Sequence, residues 1–151
     1  MRQGLAWLAL AGTIALSAAC GTGESVIEPN PDVVPLAGDW TATAMVITSV
    51  ANPEISPDIV KQFGATFTLN VQPSGQYTAI LIYSEQASTE IGILSVSGNV
   101  VTMQRSFPNS ETTSATFTLD GNRLTLDGDT EFDFNQDQSP EPALAHIEMV
   151  R

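Results

Sequence analysis

His146 is the chain's single histidine, and so the one side chain whose ordinary pKa suits general-base work near neutral pH. It lies in L-A-H-I-E-M-V-R, where a period of two groups it with Leu144 and Glu148 and opposes it to Ala145, Ile147 and Met149. An outward strand position is therefore expected for it. No G-x-S-x-G turn supplies a nucleophile beside it, and the one thiol, Cys20, stands at the end of an apolar leader. Asp127, Asp129, Glu131, Asp133, Asn135 and Asp137 alternate and would offer oxygen ligands to a hard cation such as calcium. Their spacing departs from the EF-hand loop, which wants glycine at its sixth position and glutamate at its twelfth, whereas Gly128 comes second here. Carboxylates on one face of a strand also stand about 7 Å apart, too far for one ion to gather them all. The solvated outer face of a strand is the better account, and no metal or other cofactor is expected. No phosphate-cradling glycine loop occurs, and nothing places two carboxylates in one apolar cleft. The expectation is a protein that is not an enzyme.

The chain that must hold these positions has 151 residues, with 17 acidic against 5 basic side chains and a formal net charge of -12. A surface this negative repels a phosphate backbone, and Arg2, Lys61, Arg105, Arg123 and Arg151 form no basic stripe, so nucleic acid is excluded as a partner. Hydrophobic residues make up 42% and charged ones 15%, too apolar for general disorder, and the length suits one domain. A single cysteine rules out an internal disulfide and a cysteine-rich zinc site.

Met1-Arg2, an apolar run from Leu5 to Leu16 and the small residues Ser17-Ala18-Ala19 read as a secretory signal peptide over residues 1–19. The run is about 12 residues, short of the roughly 20 that span a bilayer as a helix. The segment L-S-A-A-C resembles the lipobox of bacterial lipoproteins, although Ser17 stands where leucine is usual and Leu16 lies one position earlier. That resemblance implies a diacylglycerol on the Cys20 sulfur, cleavage before it and acylation (a palmitate, for instance) of the freed amine. Two or three acyl chains make an effectively permanent membrane anchor. The resemblance further implies that Gly21, a residue other than Asp, favours passage to the outer membrane where a cell has two, with the domain in the periplasm or at the cell surface. The alternative is ordinary signal-peptidase cleavage near Ala19, with Cys20 a bystander. Residues 20–36, with Pro29, Pro31 and Pro35 and little to bury, read as a flexible tether.

From Gly38 the apolar residues recur at alternate positions, the mark of half-buried strands. Phe67, Leu69 and Val71 alternate with polar residues before P-S-G, and further strands read from Gln76, Thr89, Val100, Thr112 and Ala143. Ser97-Gly98-Asn99 and Asp120-Gly121-Asn122 are hairpin signals. Leu124, Leu126, Phe132 and Phe134 share one parity, so Arg123 to Phe134 reads as one long strand bent at Gly128, with Gly98, Gly121 and Gly128 all at positive φ. The count is then eight, an even number that closes an antiparallel up-and-down barrel. Ser56 before Pro57 and Asp58 predicts a short helix between strands 1 and 2, turning Ile59, Val60 and Phe63 inward.

Gly38-Asp39-Trp40, at the head of the first strand, resembles the G-x-W start of lipocalins, and residues 37–151 resemble the lipocalin-like domains of bacterial envelope lipoproteins. Strand 1 would begin beside the end of strand 8, so Trp40 and Arg151 are expected to meet as a cation–π pair. The resemblance implies a small-molecule binder. Trp40, Ala42, Ala44 and Val46 share a face on which small residues leave room, and Tyr77, Ala79, Leu81 and Tyr83 repeat that mixture. Trp40, Ala42, Ala44, Tyr77 and Tyr83 are accordingly the candidate residues for a small hydrophobic ligand. Phe67, Leu69, Phe117, Leu119, Leu124, Leu126, Phe132, Phe134 and Ile147 are enough bulk to fill a short barrel, so hollow and plugged interiors both stay open. A plugged one suits the alternative function, a non-catalytic structural or protein-interaction module of the envelope. Y-T-A-I-L-I-Y is apolar on both faces, so one face must find cover outside the barrel.

Overall fold

A computed structural model describes residues 27–151. The signal peptide, Cys20 and the tether up to residue 26 lie outside the described residues. Alternation builds eight strands: β1 Gly38–Ser49, β2 Thr66–Val71, β3 Gln76–Tyr83, β4 Gln86–Ser97, β5 Val100–Phe107, β6 Glu111–Asp120, β7 Arg123–Phe132 and β8 Glu141–Val150. Each pairs antiparallel with its neighbour in sequence, and β1 pairs with β8, so the sheet closes as an up-and-down barrel. The hairpin turns at Gly98 and Gly121 have φ of 61° and 57°, the left-handed region the sequence demanded. The β3–β4 turn carries no such signal. Ser84 and Glu85 enter the left-handed region themselves, which is why β4 begins three residues before the expected Thr89.

Gly128 does allow one continuous β7, but by close packing, not by positive φ: a Cβ there would lie 3.1 Å from the Ala115 Cβ. Gly92 has a stricter role. A Cβ on it would stand 2.1 Å from the Gln104 carbonyl oxygen and 2.8 Å from the Tyr77 ring, where β5 bulges against β4.

One end of the barrel is plugged. The stretch read as a tether is packed from Asn30 onward: Asn30 N–H donates to the Pro73 carbonyl at 2.8 Å, Val34–Leu36 form a 3-10 turn, and Val33 and Leu36 are buried. Three prolines masked two side chains that fill the barrel end. Trp40 lies fully buried against them, and its indole N–H donates to the Leu36 carbonyl at 2.8 Å. The Arg151 guanidinium stacks over that indole, 4.4 Å from the ring centroid, and its Nη1 donates to the carbonyls of Pro35 and Ala37. The expected pair between the first and last strands is thus made.

The short helix α1, Ile59–Phe63, lies at the other end. Its N-cap is Asp58, two residues later than the expected Ser56, because the Asp58 carboxylate accepts from both Lys61 N–H and Met45 N–H and so ties the helix to β1. Burial of Asp58 would raise its pKa, but these two backbone donors and the Lys61 ammonium at 3.1 Å outweigh that and hold it below the ordinary value. Ile59 is buried as expected, whereas Phe63 is exposed, its ring in an edge-to-face pair with Tyr83.

Candidate functional site

A bulge decides which residues of β1 face the interior. Ala42 pairs with Met149 but Ala44 pairs with Glu148, so one residue is gained in between and the inward parity changes from Trp40 and Ala42 to Met45 and Ile47. Ala44 and Val46 then lie opposite Glu148 and His146, on the outer face, although Ala44 remains buried. The face that Trp40, Ala42, Ala44 and Val46 were expected to share is broken in its middle.

Beyond the bulge the interior is hollow. A cavity of about 270 Å³ is walled by Met45, Phe67, Leu69, Ala79, Leu81, Met103, Ala115, Leu126, Ala145 and Ile147. Small residues create the room: alanines stand at three wall positions and Gly128 at another. The volume is just below the range of typical ligand pockets and equals the liquid space of about nine waters. Trp40, Ala42 and Tyr77 lie instead in the packed core of the plugged end, and Tyr83 packs against Phe63 and Phe132. None of the five candidate ligand residues lines this cavity; of the two faces proposed for it, Ala79 and Leu81 do.

The wall is incomplete on one side. β6 and β7 are paired only from Ala115–Gly128 to Asp120–Arg123, so the strand edges at 111–114 and 129–132 separate toward the α1 end. Thr113, Ser114, Asp129 and Thr130 line both the cavity and a shallow depression outside this split, to which Glu111 and Glu131 also contribute. Beside the split stands an ion cluster drawn from three strands. Arg105 Nη1 donates to Glu90 at 2.6 Å, Nη2 donates to Glu111, and Nε donates to the Asn109 carbonyl at 3.0 Å. The hydrogen bond that Arg105 donates to Glu90 raises the Arg105 pKa further above its already high value. Glu90 is on the cavity wall, and the buried Tyr77 hydroxyl lies within the field of Glu90 and Arg105 without a hydrogen-bond partner among the described residues. Burial, then the Glu90 charge, raises the Tyr77 pKa, so the phenol stays neutral. Period-two parity would have pointed Glu90, Arg105 and Glu111 inward, but their adjacency depends on the registers of β4, β5 and β6.

His146 occupies the expected outer position, half exposed, with Nδ1 2.6 Å from Asp127 Oδ1. β7 ends at Phe132, so the alternating acids do not share one strand. Asp133, Asn135 and Asp137 fold into a loop in which Asp133 accepts from the backbone of Asp137 and Gln138, and Glu141 accepts from Phe134 N–H. Oxygens of Asp133, Asp137 and Glu141 come within 4.8 Å of one another, closer than strand spacing allows. On the outer face of β3 and β4, Ile80, Ile82, Ile91 and Ile93 are exposed, the uncovered face foreseen in Y-T-A-I-L-I-Y.

The barrel is compatible with a lipocalin-like fold. A scan against protein-family models finds no match, and a search of curated proteins finds no significant one.

Proposed function

We propose that this chain is an exported, lipid-anchored lipocalin-like binding module that carries a small hydrophobic ligand and catalyses no reaction. The observation that supports binding is the apolar cavity of about 270 Å³, reached through the split between β6 and β7. The anchor rests on the leader and on L-S-A-A-C ending at Cys20. The described chain meets the barrel at the plugged Trp40 end, so an anchored domain would turn the split end away from the membrane. The test is a series of n-alkanols titrated against the purified chain, read by the methyl resonances of Met45 and Met103 on the cavity wall. Affinity should rise with each methylene and level off once about nine or ten heavy atoms fill the space. No saturable shift at either methionine would refute the reading. Mass spectrometry of the mature amino terminus tests the anchor separately, with acylated Cys20 the expected product.

The exposed isoleucines of β3 and β4 favour a second reading, an interaction module that meets another copy of itself through this face. Sedimentation of the purified chain should then show self-association that Ile80→Thr with Ile82→Thr abolishes; a monomer at all concentrations would dismiss it.

A further inference from the structure

From the charge arrangement at the cavity's opening we infer that the ligand is a cationic amphiphile, with a protonated amine seated at the split and an apolar tail in the cavity. This rests on the binding reading above and specifies the class of ligand. Five ionisable side chains surround the opening: Glu90, Glu111, Asp129 and Glu131 against Arg105. Arg105 offers little to an anion. Its Nη1 donates to Glu90, its Nη2 to Glu111 and its Nε to the Asn109 carbonyl, so its single positive charge is already matched by two carboxylates with which a ligand carboxylate would have to compete. The remaining field is negative and lies beside an apolar wall, which concentrates it and favours a cation.

The backbone at the same place points the same way. Where β6 and β7 part, their facing edges at 111–114 and 129–132 have no ladder partner in each other, and their carbonyls can accept from an ammonium, which has three N–H donors and no acceptor. Ser114 and Thr130, on opposite sides of the split, add hydroxyl acceptors. Beside Glu90 the Tyr77 hydroxyl is a buried polar group without a hydrogen-bond partner among the described residues, on the same inner strand face as Ala79 and Leu81 of the cavity wall. The interior thus grades from an apolar wall to an acceptor-rich, negatively charged opening. A fatty carboxylate fits the first part and is repelled by the second.

Three probes built on the same eight-carbon chain separate the possibilities: n-octylamine, n-octanol and octanoate, each titrated at pH 7 into the purified chain. Binding is read by calorimetry and by the Met45 and Met103 methyl shifts, with Met149, buried in the plugged core, as the internal control. Octylamine should bind at least about tenfold more tightly than octanoate, with octanol between them. Glu90→Gln and Glu111→Gln should each shrink that ratio, and Glu111, half exposed, provides the variant that keeps the fold if loss of Glu90 disturbs it. Equal binding of all three, or tightest binding of octanoate, would overturn the cationic head while leaving the cavity reading intact. Octylamine binding that neither moves Met45 and Met103 nor responds to Glu111→Gln would mark adsorption to the acidic surface and overturn it as well. If none of the three binds, the cavity reading fails and this inference with it.

Discussion

Filling the cavity should stabilise the protein, and the sign of that effect separates a hollow barrel from a plugged one. Ala145 lies on the cavity wall, half buried, on the inward face of β8. Ala145→Leu adds three carbons; at about the volume share of a water each they occupy roughly 90 Å³, a third of the 270 Å³ present. Burying them contributes about 2.4 kcal/mol at about 0.8 kcal/mol per carbon, and ordering a leucine side chain costs about 0.5–1 kcal/mol. The expected net gain is about 1.5–2 kcal/mol, or roughly 5–8 °C in Tm for a domain of this size. Urea unfolding followed by Trp40 fluorescence is the assay, since Trp40 sits in the plugged end and reports global unfolding without sensing the substitution directly. The same variant should weaken n-octanol binding by about tenfold or more, because the tail loses its space. A loss of about 1–3 kcal/mol with an unchanged m value, the signature of overpacking, would show that the interior is already full and refute the argument for a pocket.

Asp127→Asn should return the single His146 titration, followed by its imidazole proton resonances, toward the ordinary histidine value, because the Asp127 hydrogen bond is the main cause raising it. A folded pKa above the unfolded one adds stability that is fully present below the unfolded pKa and is lost as pH rises through the folded value, so wild type should exceed the variant by more at pH 5.5 than at pH 8.5. With both side chains about half exposed, the difference should stay below about 1 kcal/mol and fade in high salt; a larger gap at pH 8.5 would contradict the assignment. Arg151→Ala removes the guanidinium over Trp40 and its bonds to the Pro35 and Ala37 carbonyls, and should cost about 1–2 kcal/mol in urea unfolding together with a shift in Trp40 emission. Gly92→Ala places a methyl against the Gln104 carbonyl and the Tyr77 ring and should cost about 3 kcal/mol or more, measured as a fall in the urea midpoint; a neutral result would mean that β4 does not pass so close to β5.

Strand count, hairpins, the parity of β8 and the meeting of Trp40 with Arg151 were legible from residue order, because a period of two and left-handed turn residues are local properties that each segment carries by itself. Less of the site was readable. The Ser84-Glu85 turn has no glycine or asparagine to announce it, and the burial of Val33 and Leu36 is invisible until a barrel end exists for them to fill. The bulge between Ala42 and Ala44 is the sharpest case: alternation along β1 runs on without a break, and only pairing with β8 inserts the extra residue that turns Met45, and not Ala44, into the cavity.

The amino-acid order thus determined that this chain alternates, folds back through eight strands and closes its ends together, and that its one cysteine stands at position 20. Tertiary structure alone decided where the barrel is hollow, where its wall parts, and that Glu90, Arg105 and Glu111 gather at the opening. The reason is physical: strand identity follows from neighbours along the chain, whereas a cavity and its charge depend on registers between strands, which residues far apart in sequence set jointly.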